Sequence, residues 1–390
     1  MSELLNGRWA ETKEALLEGL QGTKKSVMGV TLENTRKYLM ESPTAGATSA
    51  GNVATLNRVI LPVIRRVMPT VIANELVGVQ PMTGPVGQIH TLRVRYADNS
   101  NSTVAGEEAL SPFKIAEAYS GNDGSPAKAA STATLEGQAG KRMSIQILKQ
   151  TVEAKTRKLS ARWTFEAAQD AQAQQGIDVE AEIMAALAQE ITAEIDQEIL
   201  ASLASLAGTA TQTYDQGNVS GVATFVGDEH AALAVQINRV ANLIAQRTRR
   251  GAGNYCVVSP FALTILQSAT TSAFARTTEG TFEAPTNTKF VGTLNNAMKV
   301  YVNSYANDST DILIGYKGGS ESDAPAVYCP YIPLMSSGVV LDPSTFEPVV
   351  SFMTRYGYVE LSNTASSLGN AADYLGKVGL STTYGNVKFS

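Results

Sequence analysis

The side chains that most often carry chemistry are scarce in this chain. Its two histidines are His90, in a strand-like stretch, and His230, at the predicted start of a helix, and neither lies near Cys256 or Cys329 in sequence. No HExxH, paired CxxC or clustered His/Asp pattern occurs, so the sequence predicts no metal site. Each cysteine sits in an apolar, strand-like run, which predicts two reduced core residues rather than a disulfide.

Phosphate-binding and nucleophile motifs are missing as well. The Gly-Lys pair at 140–141 is followed by Arg142 and the pair at 376–377 by Val378, where a phosphate-binding loop requires Ser or Thr. There is no GxSxG turn, and an oligomeric enzyme would also need a polar pocket with a perturbed titratable group, of which the sequence gives no sign. We therefore predict no catalytic residue, no cofactor and no enzyme activity.

The densest group of carboxylates lies on one long predicted helix, from Gly176 to Gly208. We expect Asp178 to be its N-cap, because a carboxylate there accepts otherwise unpaired N–H groups, and Gly208 to end it. Acidic runs on helices usually form a solvent-exposed face. We favour that interpretation over a carboxylate site for Glu190, Glu194, Asp196 and Glu198.

The apolar residues of this helix recur at a strict spacing of four. This spacing exceeds the 3.6-residue turn by about 40° per step, so the apolar stripe winds around the helix. A helix on one flat core keeps its stripe on one side. We therefore predict a spine helix that buries different faces against different parts of the molecule, through Val179, Ile183, Leu187, Ile191, Ile195, Ile199 and Leu203.

Composition narrows the class of protein. The chain has 390 residues, 44% of them hydrophobic and 17% charged, which is typical of a folded protein with two or more packed regions. A net charge of -5 and the absence of Lys and Arg between Trp163 and Asn238 argue against a DNA-binding packaging factor. No apolar run approaches the roughly eighteen residues of a membrane span, and the charged N-terminus is unlike a signal peptide, so we expect a cytoplasmic protein without a membrane partner.

Two basic clusters could attract phosphate. One is the Arg65-Arg66 pair; the other, Arg247, Arg249 and Arg250, closes a predicted helix, where cations suit the negative end of the helix dipole. Three charges attract a duplex only weakly and in a salt-sensitive way. Helix capping or a salt bridge to another subunit is therefore favoured over nucleic acid.

The middle of the chain predicts an extended arm. Residues alternate in character from Gly87 to Tyr96 and again at Met143, Ile145 and Ile147, which indicates two strands. The segment 97–142 between them is poor in large apolar residues and cannot build a core of its own. We predict a long two-stranded arm that needs a neighbouring molecule to cover it.

The N-terminus and the last third have distinct patterns. Residues 1–40 are predicted as a helical, charge-mixed leader and 42–55 as a linker; the triplet Leu39-Met40-Glu41 between them could be read by a protease, although Leu16-Leu17-Glu18 fits the same pattern. A short helix is expected at Leu56 to Val67. Later elements are a helix from Glu229 to Arg250 with Asp228 as N-cap, a helix starting at Pro260, and strands near 255–259, 299–303, 311–316, 326–331 and 349–361. The fold class is mixed α+β.

Several stretches, collinear over nearly the whole chain, resemble the major capsid proteins of tailed bacteriophages, of the T-even-like myovirus type. They are Val67 to Gly87, Gln150 to Asp170, the spine helix with its GIDVEAE entry, Arg250 to Ser259 (RGAGNYCVVS), the GYKGG run at 315–319, and Asp342 to Gly357 (DPSTFEPVVSFMTRYG). The chain is shorter than the T-even member, so the surface domain inserted there is expected to be missing.

The resemblance implies the fold shared by tailed-phage and herpesvirus shells, with an axial domain, a peripheral domain, a spine helix, an extended β-hairpin loop and an N-terminal arm. It implies the following division: pro-segment 1–41, linker 42–55, peripheral parts 56–96 and 143–219 with the spine at 178–207, extended loop 97–142, axial domain 220–340, and a return to the peripheral domain at 341–390. It also implies removal of the pro-segment between Glu41 and Ser42 by a prohead protease.

The implied function is structural. Hexamers, or both hexamers and pentamers, would form an icosahedral or prolate shell around double-stranded DNA. The DNA would be enclosed without sequence-specific binding. The implied partners are further copies of the chain, a scaffolding protein, the protease, the portal and decoration proteins, with assembly in the host bacterial cytoplasm. The alternatives are a vertex-specific pentameric paralogue and a cellular encapsulating shell protein.

Overall fold

A computed structural model of the chain describes residues 9, 13–14, 17, 22–41, 72–100, 103–107, 109, 119–121, 128–137, 139–175, 178–215, 226–248, 250–269, 274–276, 289–295, 297–307, 310–321, 323–345, 347–361 and 371–380. The chain divides into two compact units. The first comprises Met1–Gly87, Val152–Ser202 and Ala326–Val359, and the second Gln88–Thr151, Leu203–Pro325 and Glu360–Ser390. The predicted linker, the short helix at Leu56 to Val67 and the Arg65-Arg66 pair lie outside the described residues.

Helices and strands are interspersed along the chain, so the predicted α+β class is confirmed. The described helices are α1 Gly22–Glu41, α2 Ala73–Leu76, α3 Thr132–Leu135, α4 Phe165–Gln175, α5 Val179–Leu206, α6 Val226–Thr248 and α7 Pro260–Ser268, with a 3-10 turn at Ala371–Tyr374. The described strands are β1 Gly78–Val79, β2 Val86–Tyr96, β3 Met143–Glu153, β4 Lys155–Arg162, β5 Gln212–Tyr214, β6 Tyr255–Val258, β7 Phe274–Arg276, β8 Lys289–Leu294, β9 Met298–Val302, β10 Ile312–Gly315, β11 Ala326–Ser336, β12 Val340–Leu341, β13 Pro348–Glu360 and β14 Leu375–Leu380. In the described part of the chain, no helix combines the length and the apolar character that crossing a bilayer requires.

The first unit contains a five-stranded sheet built on β11 and β13. β1 runs parallel to β11, and β13 pairs antiparallel with β4 from Val349 opposite Arg162 to Tyr356 opposite Lys155. Buried and half-buried residues alternate along β13 because successive side chains point to opposite faces of a sheet. The buried set that this alternation produces is Val350, Phe352, Thr354 and Tyr356.

The long helix α5 confirms the predicted spine. Asp178 Oδ1 accepts the N–H groups of Glu180 and Ala181 at 3.1 and 3.4 Å, as expected of an N-cap. Gly208 takes a φ of +68°, the left-handed conformation that ends many helices. In the middle of α5 the buried residues cover most of the helix circumference, as a winding stripe requires: Ile191, Thr192, Ala193, Ile195, Asp196, Ile199 and Leu200.

The prediction of a solvated acidic face on α5 is wrong for Asp196. Only 2% of this residue is exposed, and its Oδ1 accepts the N–H of Ile72, the N-cap of α2, at 2.9 Å. Among the described residues its buried Oδ2 has no hydrogen-bond partner. Burial raises the pKa of this carboxyl to about 7. The helical pattern could not reveal this, because the partner lies 124 residues away in sequence.

Glu190, Glu194 and Glu198 are exposed as predicted, but two of them also make ion pairs. Arg157 on β4 reaches Glu194 through Nη1 at 2.7 Å and Glu198 through Nη2 at 2.5 Å. Its Nε donates to the hydroxyl of Tyr356 on β13 at 2.6 Å. A single guanidinium therefore ties the spine helix to two strands of the sheet, and its fixed fork of donors suits this task.

The second unit contains a seven-stranded sheet in the order β5-β14-β10-β6-β9-β8-β7. The helix α6 contributes the predicted apolar face to its core, and none of the four residues of that face is more than 1% exposed: Leu233, Ile237, Val240 and Ile244. The predicted N-cap Asp228 is wrong, since α6 begins at Val226 and Asp228 lies in its first turn. A carboxylate is also stabilised there by the helix dipole, so the same residue type fits both positions.

The predicted start of α7 is confirmed. Pro260 is its first residue, and the side chain of the N-cap Ser259 accepts the N–H of Ala262 at 3.2 Å.

Two strands belong to a different sheet from the one that the expected domain division implies. The strand β11, expected within 220–340, belongs to the sheet of the first unit, and β14, expected within 341–390, belongs to the sheet of the second. Apolar strand patterns identify strands but not the sheet that they join.

We expect the buried carboxyl of Asp196 to make stability depend on pH. Its pKa in the folded protein, about 7, lies above the ordinary value of 3.8, so the folded state holds a proton that the unfolded state loses between these values. The free energy of unfolding should therefore fall as pH rises from about 4 to about 7, by on the order of 1–4 kcal/mol, and level off above pH 7. Asp196→Asn keeps an oxygen for the Ile72 N–H and should remove this slope.

The measurement is denaturant unfolding at pH 5 and pH 8 for both proteins. Glu190→Gln on the exposed side of the same helix is the matched control and should behave as the wild type. An unchanged pH slope in Asp196→Asn would contradict the assignment.

Candidate functional site

The strands β2 and β3 form the predicted two-stranded arm. One end of their pairing is closed by a hydrogen bond from Ala97 N to Arg142 O at 3.0 Å, and the other by one from Ala154 N to Pro85 O at 2.9 Å. Both strands contain 11 residues between these bonds, so a single antiparallel register joins the two ends. The predicted arm is therefore a continuous hairpin ladder without a net bulge.

One face of this hairpin carries an exposed apolar row. Alternate residues of a strand share a face, and Met143, Ile145 and Ile147 on β3 are 52%, 68% and 66% exposed. The register sets Met143 opposite Tyr96 and Ile145 opposite Val94. We call these three side chains the arm row. A contiguous apolar row on the surface of a soluble chain marks a binding surface or an aggregation hazard.

The end of the hairpin near Tyr96 is covered by a small cluster of its own. Tyr96, Ala109 and Tyr119 are buried together with the half-buried Val94, and the rings of Tyr96 and Tyr119 lie 4.5 Å apart. Ala109 N donates to Val94 O at 2.7 Å, and Tyr96 N donates to Glu107 O at 2.9 Å. The prediction that segment 97–142 has no core is therefore wrong here, because two tyrosines 23 residues apart make no periodic pattern.

A polar anchor fixes the same end of the hairpin. Asp98 accepts the N–H of Arg142 through Oδ2 at 2.7 Å and lies 3.5 Å from its guanidinium through Oδ1. The Tyr119 hydroxyl donates to Arg142 O at 2.5 Å. The backbone hydrogen bond from Arg142 lowers the pKa of Asp98, so the anchor is ionised at neutral pH. The anchor and the aromatic cluster order this end of the hairpin, and each side chain of the arm row stays more than half exposed in one copy of the chain.

Of the basic cluster at the end of α6, Arg250 is used within the chain. Arg250 Nη1 lies 2.5 Å from Asp323 Oδ1, and the hydroxyl of Tyr374 donates to the same oxygen at 3.2 Å. For Arg250, the predicted salt bridge to another subunit is therefore replaced by an intrachain pair. Asn254 holds the neighbouring loop by donating to Lys317 O at 2.6 Å and accepting from Lys317 N at 3.0 Å.

Close packing requires two of the three glycines in the GYKGG run at 315–319, whereas a Cβ at Gly319 would meet no atom within 4 Å. A side chain at Gly318 would approach the Asp323 carboxylate to 2.1 Å, and one at Gly315 would approach the Tyr255 hydroxyl to 2.2 Å. The run is recognisable as a motif in the sequence. The residues that press against it, Asp323 and Tyr255, gave no local signal.

The remaining predicted residues stay apart. Cys256 and Cys329 are free and buried as predicted, and burial raises their pKa values to about 12 and about 11, which keeps both thiols protonated. His230 is buried with Nδ1 2.5 Å from Ser268 Oγ, and burial lowers its pKa; His90 is exposed on β2. Within the described ranges, no group of three or more His, Cys, Asp or Glu is arranged to hold a metal ion. Glu41 is the last residue of α1, and Ser42 lies outside the described residues.

A family model for the major capsid protein Gp23 matches residues 53–139 and 105–380. The chain belongs to this family. The resemblance found in the sequence is thereby confirmed, and the arm row lies within the matched residues.

Relatives cover most of the chain. The major capsid protein of Vibrio phage KVP40 is 30% identical over 86% of this chain and 83% of its own length, and that of Enterobacteria phage T4 is 30% identical over 80% and 76%. That of Serratia phage KSP90 is 29% identical over 92% and 90%. Among solved structures, a chain from Microbacterium phage Oxtober96 aligns with a TM-score of 0.48 and 11% identity, covering 79% of this chain and 90% of that chain. The capsid of Myoviridae phage XM1 aligns with a TM-score of 0.45 and 11% identity, covering 78% and 89%.

The aromatic cluster of this capsid-family arm can be tested by hydrogen exchange. Tyr119→Ala removes both the ring that packs on Tyr96 and the hydroxyl that binds Arg142 O, so the amides of Ala97 and Arg142 should exchange at least about tenfold faster. The amides of β6 and β10 should be unaffected. Leu135→Ala, an exposed apolar truncation in the same segment, is the control and should change neither set. Equal exchange in the wild type and Tyr119→Ala would show that the cluster does not order the arm.

Proposed function

We propose that this chain is the building block of a phage head. Its copies associate into hexamers, or into both hexamers and pentamers, and these capsomers close into an icosahedral or prolate shell around double-stranded DNA. The observation that carries this proposal is the arm row. Three large apolar side chains on a hairpin with a folded end are each more than half exposed in a single copy, and a neighbouring copy in a shell covers them. The family membership supports the same function.

The arm in this proposal lies over an adjacent subunit. A two-stranded ribbon cannot bury both faces by itself, and the charged groups beside the arm row, Arg142 and Lys149, keep the free subunit soluble. Packaged DNA is enclosed without sequence-specific binding, in keeping with the net charge of -5. The virion is where the mature protein resides, and assembly takes place in the cytoplasm of the host bacterium.

The proposed partners beyond further copies are those of a phage head: a scaffolding protein, a prohead protease, the portal and decoration proteins. The leader, residues 1–41, acts during assembly and is removed between Glu41 and Ser42. The position of Glu41 at the end of α1 supports this, because helix termini fray and present an extended chain to a protease more readily than a helix interior.

The test of the shell function is electron microscopy of the protein produced with and without the phage's assembly factors. The wild type should form hexamers or closed shells. Ile145→Asp and Ile147→Asp should give folded subunits whose shell yield is at least about tenfold lower, because a charge on the arm row cannot be buried against a neighbour. Ser144→Asp and Thr151→Asp are matched controls at exposed polar positions of the same strand, and their shells should form normally.

Shells at the wild-type yield from the two isoleucine variants would overturn the role of the arm row. Small compact oligomers from the wild type, even with the assembly factors, would overturn the shell function itself. Pentamers at vertices only, beside hexamers of another protein, would identify the vertex-specific alternative.

The proposed processing site has a matched internal control. Glu41→Gln should block removal of the leader, so that mature heads keep the full chain, whereas Glu18→Gln in the similar triplet Leu16-Leu17-Glu18 should leave maturation unchanged. Mass spectrometry of subunits from mature heads distinguishes the full chain from residues 42–390. A Glu41→Gln chain that is shortened at the normal rate and to the normal size would refute the assignment.

A further inference from the structure

The leader helix α1 is docked on the sheet of the first unit. Val27, Met28, Thr31 and Leu32 are buried, and their spacing of one, three and four residues places them on one side of the helix. The strand that this helix contacts is β11. Lys25 and Ser26 are exposed. The leader therefore has a hydrophobic contact face and a solvent face, as a bound amphipathic helix does.

Asn34 adds a specific polar contact at the end of this face. Its side-chain nitrogen donates to Met82 O at 2.7 Å and to Tyr331 O at 3.1 Å, and the residue is only 8% exposed. The backbone bonds that precede these two carbonyls run from Gln80 N to Tyr328 O and from Met82 N to Pro330 O, both at 3.0 Å. Asn34 therefore binds the next free carbonyl of each of the two paired segments, 80–82 and 328–331. Its amide group continues the pairing of these segments beyond the last backbone hydrogen bond.

The preceding residues of the leader pack on α1. Trp9 Nε1 donates to Glu33 Oε2 at 3.3 Å, and Lys13 Nζ pairs with the same oxygen at 3.3 Å. The side chains of Leu17 and Lys13 pass 3.8 and 3.9 Å from the position that a Cβ at Gly29 would occupy. The described residues of the leader thus form a folded element, in which residues 9, 13 and 17 pack against residues 29 and 33 of α1.

None of these contacts involves the bond between Glu41 and Ser42. We propose that the leader is a non-covalent ligand of the five-stranded sheet, so that cutting the chain after Glu41 leaves residues 1–41 bound and release is a separate, later step. This inference rests on the proposed processing for its biological setting, but the docking surface exists in the uncut chain. The surface recognises an amphipathic helix that carries an amide side chain at the position of Asn34.

Separate cutting and release have a functional consequence. Until the leader leaves, it covers the side of β11 that it contacts and occupies the carbonyls of Met82 and Tyr331. A shell would therefore respond to departure of the leader rather than to the cut. The leader helix also has to be displaced, or diluted below its dissociation constant, before that surface becomes available.

The experiment uses the full chain with a site-specific protease sequence in place of residues 42–48, and with Trp163→Phe so that Trp9 is the only tryptophan. Fluorescence anisotropy of Trp9 and size-exclusion chromatography follow the leader after the cut. At micromolar protein the leader should keep the anisotropy of the whole subunit and elute with it, and it should dissociate on dilution. This engineered cut does not depend on Glu41. The Glu41→Gln test can therefore refute the processing site while the leader still docks, and the docking test can fail while the processing site is correct.

The decisive variant is Asn34→Leu, which keeps the size of the side chain and leaves two carbonyls without their donor. Its dissociation constant should rise about 10- to 100-fold. Ser26→Asp on the exposed side is the control and should bind as the wild type does. Leu32→Asp should release the leader at micromolar protein, and hydrogen exchange of β11 and β13 reports whether the rest of the unit remains folded.

Immediate release of the wild-type leader at micromolar concentration, with the rest of the chain folded, would overturn the proposal. So would equal affinities for Asn34→Leu and Ser26→Asp, because the amide contact would then contribute nothing specific. If Leu32→Asp unfolds the unit, the comparison of Asn34→Leu with Ser26→Asp still decides.

Discussion

A two-stranded ribbon has no second layer, and this constraint governs how the chain distributes its apolar surface. In the first unit, α1 contacts β11, and α5 is hydrogen-bonded to β4 and β13; in the second unit α6 supplies much of the core beside the seven-stranded sheet. Among the described residues, the hairpin of β2 and β3 is covered at one end by the small cluster around Tyr96 and Tyr119, and at the other end Val152 of β3 is buried beside Gly357. That cluster covers one end of the hairpin and leaves the arm row exposed. The subunit therefore folds by itself but still exposes an apolar surface that a neighbouring molecule can cover.

The surface covered by the leader and the exposed arm row differ in the kind of interaction that they offer. The leader is fixed by an apolar helix face together with Asn34, whose hydrogen bonds, one buried and one partly buried, are specific in position. The arm row offers only apolar area, with Arg142 and Lys149 near it. Apolar contact is tolerant of small shifts, whereas paired buried carbonyls are not. A surface that must accept neighbours at slightly different angles in a curved shell suits the first kind of contact, and a segment that must sit in one place suits the second.

Local periodicity predicted the elements well and the contacts between them poorly. The spine helix, its Asp178 cap and the two strands of the arm follow from signals within a few residues, and the structure confirms them. The exceptions are long-range: Asp196 with Ile72, Arg157 with Glu194 and Glu198, and Asn34 with Tyr331 each join residues that the sequence separates by at least 37 positions. Each exception involves a polar group whose type is compatible with an exposed face. The sequence can therefore identify such a residue as polar but cannot identify its partner.

The size of the arm row sets the kind of assembly that it can support. Burying the remaining exposed surface of three side chains stabilises a contact by on the order of 3–6 kcal/mol. Bringing two subunits together costs an estimated 4–15 kcal/mol in lost freedom of motion, so one arm on one neighbour does not hold a stable pair. In the proposed closed ring every subunit both gives and receives an arm, and each added contact forms between molecules that are already held in place. Weak single contacts that become stable only on closure let wrongly placed subunits leave, and an arm row of much greater apolar area would instead trap them.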